Sequence, residues 1–373
     1  MMKNIYRTMN QKRLIIFIPS IEGGGVEKNL FIISNYLKDK VRDISLITIS
    51  KKFKNKFSSK IKFISPQSNF WDRLGRRKKF FVALILLFIE ILKNRNILVF
   101  CFQANIYCTI LCKLLGVKII VRSNSAPDGW SQSIYKFFCY KYILKLADKV
   151  IVNSLDFKKK FKVKFNINAI CIYNPLNKKE IIKKSKLKNE IKFDKKKLNL
   201  INIGRYADQK DQITLLKAVN SIKDKISFNL LIVGEGLEKE NLINYIRRNN
   251  LTKKVQLRNF QKNPFNLIKS SDVFILTSKY EGLPNVLLES QVLKKFIISS
   301  NCPTGPREIL LNGKAGFLFN VGDHKKLSKL ILNYSKNKKV LSEKTLIGYK
   351  NLNRFDYKHN LDNYFKIVSS FIW

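Results

Sequence analysis

The stretch YEGLPNVLLESQ, residues 280–291, decides how the whole chain is read. An apolar run, 273–277, leads into it with the length of a short buried strand, and Pro284 stands where a helix takes its first residue. The expected order is strand, tight loop, helix. In an open parallel sheet, ligands gather at the carboxyl ends of strands, and the free N–H groups of the following helix favour an anion there. Phosphate is the natural guest. Glu281 falls in the loop beside that place, and Glu289, eight residues on, is expected on the helix, roughly two turns in. The two carboxylates then bracket the helix start. A nucleotide-sugar suits them, with Glu281 accepting hydroxyls from the sugar and Glu289 hydroxyls from the ribose. The plainer alternative is an ordinary strand-loop-helix unit with a solvated Glu289.

With 373 residues, 45% of them hydrophobic, the chain is globular and long enough for two domains, each with its own core. The six cysteines, Cys101, Cys108, Cys112, Cys139, Cys171 and Cys302, are scattered, form no Cys-x-x-Cys pair and sit mostly in apolar runs. They are expected to be reduced and buried, as in the cytosol. The opening MMKNIYRTMNQKR runs directly into a strand and has no basic, apolar and small-residue leader, so a cytoplasmic location is expected.

The formal charge of +46 suggests nucleic acid or an anionic membrane surface. The lysines, however, are spread along the whole chain among many Asn and Ile, as an A/T-biased coding sequence gives. A nucleic-acid-binding protein is the non-enzymatic alternative, but there is no aromatic-and-basic strand motif and no zinc finger, so no nucleic-acid partner is expected. One stretch rises above the background. Arg73, Arg76, Arg77, Lys78 and Lys79 precede FFVALILLFIEIL, residues 80–92, a run of 13 residues that contains Glu90 and is too short to span a bilayer. It reads as a core helix, as a helix lying on an anionic membrane surface behind a basic anchor, or as both, with the basic end docking.

Apolar runs of strand length recur at 14–19, 44–49, 61–64, 97–102, 118–121, 149–153 and 169–173, with helical stretches between several of them. Strands alternating with helices argue for a parallel α/β sheet. Asn174-Pro175 halts the pattern, and the Lys-rich stretch 178–197 is assigned to a linker. Alternation restarts at 198–203 and continues through Phe319, with Gly234 and Gly236 of VGEG marking a turn after the run 229–233. The expected divisions are 1–177, 178–355 and a tail helix, 356–373, with Leu361, Phe365, Val368 and Phe371 at near-helical spacing. Between the run 14–19 and the helical pattern of Leu30, Ile33 and Leu37, the triple glycine 23–25, with Gly24 and Gly25, either lets the backbone approach a ligand or the facing domain, or is a plain structural turn. No third glycine and no following acid complete a dinucleotide fingerprint, so no nicotinamide cofactor is expected.

Glu281 and Glu289, with Gly282, Leu283 and Pro284 between them, resemble the Glu-x7-Glu signature of retaining glycosyltransferases of family four. GGGVE at 23–27, GRYADQK at 204–210 and NCPTGPREIL at 301–310 resemble the same family in the same order. The resemblance spans nearly the whole chain, strongly over 198–323 and thinly over 44–118. It implies the GT-B architecture: an α/β protein of two facing Rossmann-like domains, the first on the acceptor side, the second binding the nucleotide-sugar, and the tail helix returning to the first. The donor is expected to be a UDP-sugar. The acceptor is expected to be a glycan or a lipid-linked oligosaccharide of cell-envelope assembly, handled at the inner face of the cytoplasmic membrane without a cofactor. A sugar-nucleotide epimerase of the same architecture is the enzymatic alternative.

Sugar transfer develops negative charge on the departing diphosphate, and the resemblance assigns Arg205 and Lys210 to it, beside a catalytic Glu281. Glu289, Gly24, Gly25, Gly282, Leu283 and Asn285 are then donor-binding, with the amides of Asn285 and Val286 adding a helix N-terminus. Many family members carry a histidine after a strand like 118–121, where this chain reads Arg122-Ser123-Asn124. Asn124 can hydrogen-bond a sugar hydroxyl or the acceptor but cannot serve as a base. In a same-face mechanism the phosphate itself takes the acceptor proton. Arg307 is either a contact to acceptor or sugar, or a cap and salt-bridge residue of its helix. There is no Asp-x-Asp, and His324 and His359 lie in late polar stretches, so no metal site is expected.

Overall fold

The computed structural model describes residues 11–22, 25–124, 133–188, 191 and 193–373. The chain divides into two compact units, Met1–Pro175 with Tyr357–Trp373, and Leu176–Asp356.

Among the described residues the first unit is built on a seven-stranded sheet in the order β3-β2-β1-β4-β5-β6-β7. Its strands are β1 (Arg13–Phe17), β2 (Ile44–Ile47), β3 (Lys62–Ile64), β4 (Ile97–Cys101), β5 (Lys118–Arg122), β6 (Lys149–Val152) and β7 (Ile170–Cys171). All neighbours pair in parallel. Helices α1 (Gly25–Leu37), α2 (Arg76–Lys93), α3 (Asn105–Leu114), α4 (Ile134–Ile143) and α5 (Leu155–Phe165) alternate with the strands. A parallel sheet covered on both faces needs strands that are apolar throughout, and Leu14, Ile15, Ile16 and Phe17 are all fully buried. Helix α5 begins where the Ser154 hydroxyl accepts from Phe157 N, and it buries Phe157, Phe161 and Phe165 at successive turns.

The apolar run 80–92 lies in α2, whose two faces differ. Ala83, Leu87, Glu90 and Ile91 face the core, while Phe81, Ile85, Phe88, Ile89 and Leu92 are exposed. Glu90 can be buried because Arg13 Nη1 donates to it at 2.7 Å and Lys93 Nζ at 2.9 Å. Among the described residues no helix is long and apolar enough to cross a membrane.

The second unit has a six-stranded parallel sheet in the order β10-β9-β8-β11-β12-β13. It comprises α6 (Lys178–Ser185), β8 (Leu198–Ile203), α7 (Gln212–Asn220), β9 (Phe228–Val233), α8 (Lys239–Arg248), β10 (Val255–Arg258), α9 (Phe265–Ser270), β11 (Val273–Leu276), α10 (Asn285–Val292), β12 (Phe296–Ser300), α11 (Pro306–Ile309), β13 (Phe317–Phe319), α12 (His324–Lys336) and α13 (Lys338–Lys350). The last helix, α14 (Tyr357–Ile372), belongs to the first unit, where the Tyr36 hydroxyl bonds Asp362 and Arg122 Nε donates to the Tyr364 hydroxyl at 2.8 Å.

The stretch assigned to a linker begins instead with a helix of the second unit. The Asn177 side chain accepts from Glu180 N at 3.0 Å, Lys184 pairs with Glu180 one turn apart, and Ile181 is buried, so α6 packs on α9 and α10 despite its many lysines. The run 169–173 contributes only the two-residue edge strand β7, paired on one side with β6.

Candidate active site

Both sheets reverse their order once, between β1 and β4 in the first unit and between β8 and β11 in the second. At such a point the loops leaving two neighbouring strands diverge and leave a crevice at their carboxyl ends. In the second unit these two loops are residues 204–211 and 277–284, which carry Arg205, Lys210 and Glu281.

The two loops are stitched together. Lys279 N donates to Gln209 O at 2.8 Å, Gln209 Nε2 to Tyr280 O at 2.8 Å, and Thr277 Oγ1 to Lys210 O at 2.8 Å, while Lys279 and Asp208 form an ion pair. In their midst Lys210 Nζ reaches Glu281 Oε1 at 2.5 Å, and Ser278 Oγ donates to the same oxygen at 2.7 Å. Glu281 Oε2 makes no hydrogen bond within the described residues and is the acceptor left for a ligand hydroxyl. Sequence reasoning had Lys210 and Glu281 acting on separate parts of a ligand; the fold joins them first to each other. Arg205 is exposed at the mouth of the loop, and its carbonyl accepts from Gln212 Nε2 at 2.9 Å.

A third loop grips Glu281 from behind. Thr304 Oγ1 donates to Glu281 O at 2.6 Å, and Ser300 Oγ to Ser278 O at 2.7 Å. Thr304 is held at φ 63°, rare for a β-branched residue and costing about 1–3 kcal/mol. Next to it Gly305 has φ 83°, and a Cβ there would lie 2.5 Å from Gly282 O, so only glycine admits this approach. Burial, then the Glu281 carboxylate, pushes the Cys302 thiol up to about 12, which keeps it protonated beside the site.

Pro284 turns out to be the N-cap, at φ −71° and ψ 105°, and α10 begins at Asn285. Glu289 is therefore its fifth residue, one turn in and not two, a rise of roughly 6 Å. Glu289 is buried and not solvated, as are Gly282 and Leu283, while Asn285 is half-buried at the helix start. Arg307 is exposed, with Nε donating to Asn301 Oδ1 at 3.0 Å. In the first unit Gly25 opens α1, whereas Gly24 lies outside the described residues. Asn124 follows β5; its Nδ2 donates to Phe102 O at 3.1 Å, and its buried Oδ1 has no partner among the described residues. The Arg122 side chain is fully buried, with Nη2 on Asn174 Oδ1 at 2.7 Å.

Sequence reasoning missed Ser278 and Tyr206. Ser278 closes an apolar run and carries no spacing signal. Tyr206 is fully buried, and its hydroxyl donates to Arg258 O at 2.6 Å and lies 3.0 Å from Ile232 O, between the ends of β8, β9 and β10. The arrangement offers two cations, one carboxylate and a helix N-terminus at a single crevice, a set that suits a diphosphate carrying hydroxyls.

Residues 183–350 match the family model described as Glycosyl transferases group 1. The chain is 35% identical over 198 residues to an uncharacterized glycosyltransferase of Methanocaldococcus jannaschii, a match covering 50% of this chain and 48% of that relative, about half its length. It is 25% identical over 327 residues to the N-acetylgalactosamine-N,N'-diacetylbacillosaminyl-diphospho-undecaprenol 4-alpha-N-acetylgalactosaminyltransferase of Campylobacter jejuni, covering 83% of this chain and 86% of that one. Among solved structures, HepE of Anabaena in complex with UDP and glucose is similar with a TM-score of 0.78 at 16% identity, over 96% of this chain and 100% of that one. The two parallel α/β sheets thus give the chain the GT-B fold, and residues 183–350 are similar to the group 1 glycosyl transferase model.

Proposed function

We propose that the chain transfers a sugar, with retention at the anomeric carbon, from a uridine diphosphate sugar to a lipid-linked or polysaccharide acceptor in cell-envelope glycan assembly. The observation that carries this reading is the Lys210–Glu281 pair at the β8–β11 reversal, one loop away from the start of α10. The likeness to a relative named for a diphospho-undecaprenol-linked acceptor, and to a structure holding UDP and glucose, supports the choice of acceptor and donor.

In this mechanism the donor diphosphate takes Lys210, Arg205 and the amides of Asn285 and Val286, and Glu281 accepts a hydroxyl of the sugar through Oε2. Glu289 accepts a ribose hydroxyl, and Gly282 and Leu283 line the donor. The bond from the anomeric carbon to the β-phosphate oxygen breaks, and a bond from that carbon to the acceptor oxygen forms on the same face. The acceptor proton passes to the departing phosphate oxygen, so uridine diphosphate leaves and no protein base is needed. Fixed cations at the leaving group supply the main stabilisation. Asn124 and Arg307 are proposed contacts to sugar or acceptor, and the first unit is assigned to the acceptor. The exposed apolar side of α2, with its basic N-terminal end, is proposed to dock peripherally on an anionic membrane surface from the cytoplasmic side.

The test incubates the full chain with a panel of labelled nucleotide-sugars and a lipid-linked acceptor, and resolves the anomeric configuration of the product by NMR. Glycosylated lipid of unchanged anomeric configuration, with one uridine diphosphate released per transfer, is expected. Inverted product overturns retention, and a free epimerised sugar with no glycosylated lipid overturns transfer.

A further inference from the structure

At the opposite end of the second sheet from the Glu281 loop lies a cavity of about 300 Å³. Asp272 precedes β11 and Lys295 precedes β12, so the cavity sits at the amino ends of these strands. A four-residue strand separates the two ends by roughly 13 Å. The volume is at the lower end of those that hold small molecules, roughly 300–1,000 Å³.

Three hydrogen-bond donors lining the cavity have no partner among the described residues: the Lys295 ammonium and the Tyr334 and Thr345 hydroxyls. Asp272, the one carboxylate among the lining residues, is already committed. Its Oδ2 accepts from Asn199 N at 2.8 Å and its Oδ1 lies 3.4 Å from Lys338 Nζ. Lys294 adds a further cation to the lining. Burial lowers the Lys295 pKa, and the Asp272 carboxylate only partly offsets it, so an ammonium here has lost water without gaining a counter-ion. Burial, then Asp272, pushes the Tyr334 hydroxyl up to about 12, so it remains a donor. Unpaired donors beside uncompensated positive charge select a guest that only accepts and is negatively charged.

We infer that this cavity is a binding site for a phosphate-class oxyanion, held by the Lys295 ammonium and the Tyr334 and Thr345 hydroxyls, with Lys338 as the second cation. Free phosphate and the phosphate group of a phosphorylated small molecule share this chemistry. The site is separate from the donor crevice and does not depend on the function proposed for it.

The experiment acetylates the full chain with acetic anhydride, with and without inorganic phosphate at constant ionic strength, and follows each lysine by peptide mass spectrometry. Phosphate should slow acetylation of Lys295 several-fold and leave exposed Lys329 unchanged. Glucose 1-phosphate forms a second arm; stronger protection by it identifies an ester as guest, and weaker or equal protection identifies the free ion. Phosphate should also raise Tm, and Lys295→Met should lose most of that rise. An unchanged rate at Lys295, protection confined to Lys210, or an equal Tm rise in Lys295→Met overturns the proposal. The protection measurement uses wild-type protein and stands even where the variant fails to fold.

Discussion

Lys210 Nζ stands 2.5 Å from Glu281 Oε1, joining the loop after β8 to the loop after β11, with the two side chains 18% and 9% exposed. In the function proposed here, such a nearly buried pair acts as one unit. The carboxylate holds the ammonium where a diphosphate would arrive, and either charge alone would be stranded in a poorly hydrated place.

Lys210→Met and Glu281→Gln are each expected to lower kcat by on the order of 100-fold, as for loss of one preorganised charge-stabilising group. The double variant should fall far short of the product of the two losses, because each single change already disables the pair. Steady-state kinetics on all four proteins measures the coupling. Fully additive losses would show that the residues act independently.

Glu289→Gln should weaken donor binding with a smaller effect on turnover, and Arg205→Ala should lower turnover by on the order of 100-fold. Calorimetric donor affinities set beside kcat separate the two effects. Glu281→Gln is the contrast, losing turnover much more than affinity. Equal, small changes at Glu281 and Glu289 would remove the idea that they bracket the donor, and a wild-type rate for Arg205→Ala would remove its place at the leaving group.

Much of this was legible from sequence because parallel strands buried on both faces read as unbroken apolar runs, and RLIIF and VFIL need no context to be placed. The loops 204–211 and 277–284 were legible as loops at the carboxyl ends of strands because each lies between such a run and a helix. The Lys210–Glu281 bond was not, since nothing local in a chain rich in lysine says which ammonium meets which carboxylate. Helix α6 was hidden for a related reason: its helix-forming signals are a cap at Asn177 and one buried Ile181, set in a lysine-rich background. The role of Tyr206 was invisible because it consists of bonds to backbone carbonyls of distant strands, and that of Thr304 because it consists of a bond to a carbonyl in another loop.

Gly305→Ala is expected to destabilise the second unit by about 1–3 kcal/mol, since a Cβ at φ 83° is strained and would press on Gly282 O. The push is transmitted to the loop that presents Glu281, so turnover should fall with stability. Urea denaturation and kcat measured together test this. A variant of wild-type stability would contradict the close backbone approach.

Acid should act on the first unit through Glu90. Burial alone would raise its pKa, but hydrogen bonds from Lys93 and Arg13 outweigh burial and hold it below its ordinary value of 4.5. A depressed folded-state pKa contributes stability above the unfolded value, and that contribution is lost as pH falls through the folded one. Glu90→Gln should therefore lower stability at pH 7, since Arg13 loses its 2.7 Å carboxylate partner and keeps only Asp43 at 3.6 Å and the Ser45 hydroxyl, and the gap to wild type should narrow below about pH 4.5. Chemical denaturation across pH 3–7 checks the sign. A gap that widens in acid would show that burial, and not pairing, governs this carboxylate.

The membrane prediction follows from the two faces of α2. Of the five basic residues before its apolar run, Lys79 is taken up by Asp72 at 3.5 Å with its side chain 11% exposed, which leaves Arg73, Arg76, Arg77 and Lys78 on the surface. Phe81, Ile85, Phe88 and Leu92 are exposed on α2, and the helices α3 and α4 expose Tyr107 and Leu114, and Tyr135, Phe138 and Tyr142. An apolar face beside a basic cluster is the surface of an interfacial helix, and each Lys or Arg near an anionic leaflet adds about 1 kcal/mol. Changing the four exposed basic residues to Gln should then lower partitioning onto anionic vesicles by roughly 1,000-fold, the equivalent of about 4 kcal/mol. Wild type should co-sediment with such vesicles at low salt and be released at high salt, as exposed charge interactions are screened. Phe81→Ser with Phe88→Ser should instead weaken the part of binding that salt does not remove. Turnover on a soluble acceptor analogue should survive all of these changes, because the Lys210–Glu281 pair lies in the other unit. Should the four-fold variant still pellet with anionic vesicles, or wild type ignore them, the exposed face of α2 has no docking role.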